Sequence, residues 1–330
     1  MKEILRLKDI SKRFAKKIDV AAKFLNFFGA NFDNQVVHAV DGVNLNFDQG
    51  QVVGLIGESG CGKSTLGRVV AGISEPSEGE IFYRGKEVKE LIAENRQRQN
   101  AKIQMVFQDP MSSLNPRKRV MDTIGEAPVY HGQISKKDRQ DYVETLLNQV
   151  GLDKEYAKRL PHQFSGGQRQ RIGIARALAV RPEFLVCDEA VAALDVSIQA
   201  QILNLFMDLR EKLDLTYLFI SHDLGVVHHI ADKIVIMYLG RVVESASKEE
   251  LFSRPNHPYT DALLKDVPRI DRRNQKYFPI KGELPSPLDP PNGCHFHPRC
   301  PHAKSRCRIE APSLKEIAPG RLSACHLNED

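Results

Sequence analysis

No run of about 18 apolar residues occurs anywhere in the 330-residue chain, so nothing in the sequence reads as a bilayer-spanning helix. The opening Met1-Lys-Glu-Ile-Leu-Arg-Leu-Lys8 lacks the apolar stretch of a signal peptide, and the chain is expected to stay in the cytoplasm. Charge of one sign is barely in excess. The 47 Lys and Arg against 42 Asp and Glu leave a formal +5 that is scattered, so no nucleic-acid partner is expected. Cysteine is scarce, six in all, and the four in the last 37 residues contain no short C-x2–4-C pair of the kind structural zinc sites use. A reducing compartment argues against disulfides among those four and towards metal or cluster ligation. Apolar residues at 42% and charged residues at 27% are ordinary for a globular protein, and the length suits one large α/β domain plus an appendage.

What is present centres on Gly57-Glu58-Ser59-Gly60-Cys61-Gly62-Lys63-Ser64, followed by Thr65, a complete G-x-x-x-x-G-K-[ST] phosphate loop. Gln51 to Gly57 reads as a short buried strand, and Ser64 to Ala71 begins with helical spacing. Glycines let backbone N–H groups turn inward around phosphate oxygens, and the new helix points its positive end at the same anion. Lys63 is expected to reach the β- and γ-phosphates of a nucleotide, and the Ser64 hydroxyl to hold Mg²⁺.

Upstream, Ile4 to Ile10 alternates like a half-buried strand that continues to Phe14, and Val36 to Phe47 forms a second, turned by Asp48-Gln49-Gly50 into the loop strand. The insertion between them, 16–35, contains Phe24-Leu-Asn-Phe-Phe-Gly29, which could touch a membrane or partner or simply pack as a loop on its own sheet. An aromatic ring ahead of a phosphate loop, here Phe14, can stack on adenine. Downstream, Glu80 to Gly85 reads as a hairpin strand, and Lys102 to Gln108 as a buried strand ending on an amide. From about Val120 to Val180 the pattern turns helical, with Gly151 suited to close the helix over Asp141 to Val150.

Within that block, Phe164-Ser165-Gly166-Gly167-Gln168 opens a helix and makes a second anion cradle. One chain gripping a single nucleotide with both cradles would have to wrap tightly, so the economical reading is that this turn caps the γ-phosphate held by another subunit. Phe184-Leu-Val-Cys-Asp188-Glu189 then places two acids at the end of a buried strand in the Walker B arrangement. Asp188 is expected to organise Mg²⁺ through water, and Glu189 to orient and polarise the attacking water. The strand Thr216 to His222 ends on a histidine placed to meet the γ-phosphate.

The tail differs in character. His257 to Leu264 reads as a loop entering a short amphipathic helix, and Gly282-Glu-Leu-Pro-Ser-Pro to Gly293 as an extended Pro-rich segment. Cys294, Cys300, Cys307 and Cys325 follow at spacings C-x5-C-x6-C-x17-C, with His295, His297, His302 and His326 close by. Four thiols on a loop-rich tail suit a buried inorganic centre in place of a missing hydrophobic core. The spacing leaves a [4Fe–4S] cluster, zinc and free thiols open; Pro301 after Cys300 is a pairing seen in cluster loops.

Taken together, the phosphate loop, Gln108, Ser165 to Gln168, Asp188-Glu189, Ala193-Leu194-Asp195 and His222 resemble the nucleotide-binding subunits of ABC transporters, in their order and over about residues 4–250. The tail resembles that of the oligopeptide/dipeptide permease branch, nearest its F-type ATP-binding subunit. The resemblance implies an α/β fold: a P-loop NTPase (RecA-like) core with an N-terminal antiparallel β-subdomain, an inserted helical subdomain at about 115–180 and a small Cys-rich C-terminal extension. The nucleotide-binding domain would span 1–253 and the extension 254–330. Two subunits would sandwich two ATP molecules. Phe14 would stack on adenine and Gly57, Ser59, Gly60, Cys61, Gly62, Lys63, Ser64 and Thr65 would hold the phosphates. Mg²⁺ would rest on Ser64, Gln108 and Asp188, catalysis on Glu189, His222 and Lys63. From the facing subunit would come Ser165, Gly166, Gly167, Gln168 and Asp195. The same branch implies a [4Fe–4S] cluster on the four tail cysteines, with Zn²⁺ the alternative. It implies a second, D-type ATPase as heterodimer partner, two membrane permeases, an extracytoplasmic binding protein, and a place on the cytoplasmic face of the inner membrane as a peripheral subunit. The expected activity is ATP hydrolysis powering import of oligopeptides or dipeptides. Nickel, glutathione, murein peptides or opines are alternative solutes, and a soluble ABC ATPase acting on nucleic acid or ribosomes is the rival class.

Three residues depart from the family pattern. Phe164 stands where Leu is commoner, Ala190 where proline usually follows the glutamate, and Ala192 where Ser is frequent. Losing proline's fixed φ puts the rigidity of the turn between Glu189 and Asp195 in question.

Overall fold

The computed structural model of the protein describes residues 2–15, 36–91, 102–109, 111, 114–265 and 282–329. The 16–35 insertion with its apolar stretch lies outside them. Strands β1 (Glu3–Ala15) and β2 (Val36–Asp48) pair antiparallel, and β4 (Glu78–Tyr83) joins the other edge of β1, with β5 (Lys86–Glu87) outermost. Their register places Leu5 opposite Phe47 and Leu7 opposite Leu45. This four-stranded sheet therefore has one apolar face, and it closes over a core shared with Val53, Leu55, Leu66 and Met237. Phe47 meets Phe184 edge to face at 5.2 Å, locking the small sheet to the large one.

Among the described residues the large sheet has eight strands, β3 (Val52–Ile56), β6 (Ile103–Val106), β7 (Phe184–Asp188), β8 (Thr216–Ile220), β9 (Lys233–Tyr238), β10 (Arg241–Ser247), β11 (Lys315–Ala318) and β12 (Arg321–Ser323), in the order β11-β12-β10-β9-β3-β8-β7-β6. Its parallel part contains β3, β6, β7, β8 and β9. Every residue of β3, β7 and β8 is buried, as expected of parallel strands covered on both faces. The carboxyl ends of β3, β6, β7 and β8 lead into the phosphate loop, Gln108, Asp188-Glu189 and His222, so one edge of the sheet gathers all four. Strand β8 stops at Ile220, short of the histidine. Its last β3 partner is Leu55, after which Asp223 caps helix α6 (Leu224–Ile230) by accepting from the Gly225 and Val226 N–H groups.

Helix α1 (Lys63–Val70) leaves the phosphate loop one residue earlier than the sequence suggests. The helical stretch expected over 120–180 is three α-helices: α2 (Val120–Tyr130), α3 (Arg139–Gln149) and α4 (Gly166–Leu178). Short 3-10 turns at Lys154–Lys158 and Pro161–Gln163 separate the last two. Val120, Ile124, Val143, Leu147 and Ile172, all essentially inaccessible, form their common core. Helix α5 (Val196–Leu213) follows the Walker B strand.

The tail is not a unit on its own. Strand β10 (Arg241–Ser247) leads into α7 (Lys248–Ser253) and α8 (Pro258–Lys265). After a short helix α9 (Ser305–Ile309), the hairpin β11 (Lys315–Ala318) and β12 (Arg321–Ser323) pairs back onto β10, Glu244 opposite Ser323. Phe296 is 2% exposed and packs on Tyr238, Tyr259 and His257 inside the main core. The expectation that an inorganic centre replaces a missing core is thus corrected: the extension borrows the core of the large sheet.

Glu183, at the head of β7, ties the β4–β5 turn to the large sheet. Its carboxylate accepts from the Tyr83 hydroxyl at 2.7 Å and Arg84 Nε at 2.9 Å, and Lys102 Nζ lies 2.8 Å away. Burial works against the charge, but the bonds from Lys102, Tyr83 and Arg84 outweigh it and pull the carboxyl down to about 2. A carboxyl depressed on folding contributes stability above its unfolded value, and that contribution is lost as pH falls through the folded one. Glu183→Gln is therefore expected to cost about 1–2 kcal/mol at neutral pH. The difference from the natural chain should shrink as pH drops from about 4.5 towards about 2; urea unfolding across that range checks it, and a pH-independent difference would contradict the assignment.

Candidate nucleotide site

The loop joining β3 to α1 is shaped by what its glycines lack. Gly62 has φ +105°, and a Cβ there would stand 2.0 Å from the Ala39 carbonyl oxygen. Gly57 is hemmed in as closely, with the Met237 carbonyl oxygen 2.2 Å from where its Cβ would be. Strands β2 and β9 thus press on the loop, and only glycine fits. Lys63, 5% exposed, folds back so that its ammonium donates to the Gly57 carbonyl at 2.7 Å and the Glu58 carbonyl at 2.9 Å. Cys61 is 1% exposed and burial pushes its thiol pKa up, so it packs as an apolar side chain.

Two further groups of site residues meet beside the loop. The Ser64 hydroxyl donates to Asp188 Oδ1 at 2.8 Å. Burial raises the Asp188 carboxyl, partly offset by that bond, so an adjacent cation would favour the ionised form. One residue on, Glu189 Oε2 accepts from Gln108 Nε2 at 2.6 Å and Oε1 lies 3.2 Å from His222 Nδ1. The acid, amide and imidazole thus form one polar chain, brought together from three adjacent strand ends. Glu189 itself has φ +47°, a left-handed conformation that costs a non-glycine residue about 1–2 kcal/mol. Its N–H donates to the Ile220 carbonyl at 3.0 Å and its own carbonyl accepts from Ala192 at 3.1 Å. Leu194 N–H donates to Val191 O at 3.2 Å and Gln199 Nε2 to Leu194 O at 2.9 Å. The turn after Glu189 is closed by this network, and buried Ala190 occupies proline's place without leaving it open. Such an array can bind Mg²⁺ on Ser64, Asp188 and Gln108 and polarise a water held by Glu189 and His222.

The turn from Ser165 to Gln168 is built separately. Ser165 caps α4 in a reciprocal capping box: its hydroxyl accepts from the Gln168 N–H at 3.3 Å, while Gln168 Oε1 accepts from the Ser165 N–H at 3.0 Å. Gly167 is confined by Ile198, whose Cγ2 would lie 2.6 Å from a Cβ. Phe164 is 4% exposed and meets Tyr156 edge to face at 5.4 Å, so the departure from leucine is absorbed in the core. Among the described residues, no hydrogen bond joins Ser165, Gly166, Gly167 or Gln168 to the phosphate loop. Asp195 is exposed at the start of α5, beside Val196 at 82% exposure. Phe14 is 45% exposed with Lys12 Nζ 5.2 Å from its ring centre.

The four tail cysteines line one cavity with His257, Phe296 and His326. The Cys294 N–H donates to the Cys307 carbonyl at 2.8 Å. Burial, then the neighbouring thiols, push the Cys294 thiol up to about 11. Burial likewise raises the Cys300 and Cys325 thiols, and four thiols around one cavity are a donor set suited to a metal centre, whose positive charge would stabilise thiolates. Among the described residues, no three or more His, Cys, Asp or Glu converge on one ion-sized position.

One set of contacts was missed by sequence reasoning. Glu58, inside the loop, has its N–H bonded to the Tyr259 hydroxyl at 2.9 Å, and Arg299 grips its carboxylate at 2.8 and 3.1 Å. The only local signal was an acidic residue in an anion-binding loop, which calls for a counter-charge without saying from where.

Comparison with known proteins matches two segments of the chain. Residues 40–192 match the ABC transporter family, and residues 243–307 the oligopeptide/dipeptide transporter C-terminal region. The oligopeptide transport ATP-binding protein AppF of Bacillus subtilis is 48% identical over 330 residues, covering 98% of this chain and 97% of that protein. The dipeptide transport ATP-binding protein DppF of Escherichia coli is 47% identical over 294 residues, 88% of this chain and 87% of its own. Among solved structures, the ATP-binding cassette MJ0796, dimeric and bound to ADP and phosphate, superposes with a TM-score of 0.62 at 27% identity, over 74% of this chain and 99% of that one. The fold is the ABC ATPase cassette, mixed α/β around a P-loop NTPase core. If the Glu189 carboxylate orients the attacking water, Glu189→Gln is expected to lower ATP turnover by about 10²–10⁴-fold while leaving ATP affinity within about twofold. Steady-state hydrolysis and equilibrium binding check the two halves.

Proposed function

The chain belongs to the ABC transporter ATP-binding proteins of the oligopeptide/dipeptide family and hydrolyses ATP to power peptide import, and we propose that it does so as the F-type member of a heterodimeric pair. The observation that carries the peptide reading is the match of residues 243–307 to the oligopeptide/dipeptide C-terminal region. In this reading Gly57, Ser59, Gly60, Cys61, Gly62, Lys63, Ser64 and Thr65 hold the ATP phosphates. Phe14 stacks on adenine. Mg²⁺ rests on Ser64, Asp188 and Gln108, and Glu189 and His222 act on the attacking water. Ser165 to Gln168 and Asp195 serve the nucleotide of the facing subunit, which is supported by their separation from the chain's own loop contacts and by the dimeric state of the similar cassette MJ0796. The partners are a D-type ATPase, two membrane permeases and, indirectly, an extracytoplasmic binding protein, with the complex at the cytoplasmic face of the inner membrane. No described helix is long and apolar enough to cross a membrane, so contact with the bilayer would run through those permeases. The nucleotide domain is 1–253 and the extension 254–330, with the four cysteines holding a [4Fe–4S] cluster in preference to Zn²⁺. The cavity shared by the four thiols supports a centre of some kind; the wide ligand loops favour the bulkier one.

Affinity purification from membranes tests the assembly: a second ATP-binding subunit and two permeases should co-elute, whereas ribosomes in their place would overturn it. Anaerobic purification should give a brown protein with about four iron atoms per chain; a colourless, zinc-loaded protein would assign the site to Zn²⁺.

A further inference from the structure

A phosphate loop that carries a carboxylate works against its own ligand. Glu58 sits immediately after Gly57, and its side chain is only 24% exposed, so solvent screens its charge incompletely. The cation that meets it does not come from the loop, from α1 or from any strand beside it. It comes from Arg299, which immediately precedes Cys300 and lies 241 positions along the chain, and whose side chain is 7% exposed. The contact is bidentate, Nη1 at 2.8 Å and Nη2 at 3.1 Å from the two carboxylate oxygens, the geometry that a guanidinium matches and an ammonium does not. The Tyr238 hydroxyl, 3.4 Å from Nη1, lies beside the same guanidinium. Tyr259, also from the extension, accepts the Glu58 N–H through its hydroxyl. The Glu58 carbonyl receives the Lys63 ammonium. One loop residue therefore joins the extension to the lysine that meets phosphate.

We propose that Arg299 is a positioning residue of the nucleotide site: reaching in from the Cys-rich extension, its guanidinium neutralises the Glu58 carboxylate and leaves Lys63 free for the phosphates of ATP. Without Arg299 the half-buried carboxylate would repel the triphosphate and compete for Lys63, whose ammonium already bonds the same residue. The extension is thereby part of the ATP site, and anything that shifts the loop carrying Arg299 and Cys300 alters nucleotide affinity. The inference rests on the reading of Gly57 to Thr65 as the phosphate site.

The test is equilibrium ATP binding by the purified full-length chain, measured by titration calorimetry. Arg299→Ala is expected to weaken ATP binding about tenfold or more, and adding Glu58→Gln to it should restore affinity to within about threefold of the natural chain. Arg299→Lys, which keeps the charge, should lose less than Arg299→Ala. A purely structural role for Arg299 would not be relieved by Glu58→Gln. Affinity of Arg299→Ala within twofold of the natural chain, or a loss that Glu58→Gln fails to restore, would overturn the proposal. Should Arg299→Ala not fold, the comparison of Arg299→Lys with the Glu58→Gln/Arg299→Ala pair decides it: the proposal requires the uncharged pair to bind ATP at least as well as Arg299→Lys. Lys63→Ala separates the two layers, because unchanged binding in that variant would remove the phosphate-site reading itself.

Discussion

A loop can point its amide groups at an anion only if nothing occupies the space where its Cβ atoms would stand, and here that space is already filled by neighbouring backbone. Ala39 of β2 and Met237 of β9 approach the loop so closely that any side chain at Gly62 or Gly57 would collide with a carbonyl oxygen. The loop is thus moulded by two strands from different sheets. This is why the four-stranded sheet must dock on the large one, and the Phe47–Phe184 contact and shared core hold it there. Lys63 completes the arrangement by bonding loop carbonyls, which keeps a buried ammonium satisfied within its own loop.

The chemistry beside the loop depends on the parallel sheet in a different way. Fully buried strands β3, β7 and β8 stop at the same edge, and the residues just beyond them converge. Asp188 stays in the strand, bonded to Ser64, whereas Glu189 is the first residue past it and takes a left-handed backbone. That strained conformation swings its carboxylate towards Gln108 and His222. The strain is sustained by backbone bonds to Ile220 and Ala192, so the turn keeps its shape with alanine at position 190.

The extension belongs to the same economy of packing. Its hairpin lengthens the large sheet, its Phe296 enters the main core, and its Arg299 and Tyr259 clasp Glu58. Buried His257 is held neutral, its pKa pushed down to about 4 by desolvation, so the junction packs without an unpaired charge. The cysteine cavity lies against this junction, lined by His257 and Phe296 as well as by the four thiols. A segment first read as an appendage in need of its own core is better described as a third wall of the nucleotide-binding region.

Local pattern by itself determined the phosphate loop, the acidic strand end, the capped helix at Ser165 and the buried strands, because each depends on residues adjacent in sequence and on the alternation or turn chemistry they impose. Gln108 and His222 were also legible as polar ends of apolar runs. What only the tertiary structure decided is which of these meet. Gln108 and His222 meet on Glu189 because strand order puts β6, β7 and β8 side by side. Gly62 is compulsory because of β2, and Glu58 is neutralised from position 299. The end of β8 before His222 was likewise set by where its partner β3 turns away. An acidic residue inside an anion-binding loop announces in the sequence that it needs a partner. Which of the chain's 47 Lys and Arg supplies it is a question of distance in space, and that is settled only when the sheets and the extension close on one another.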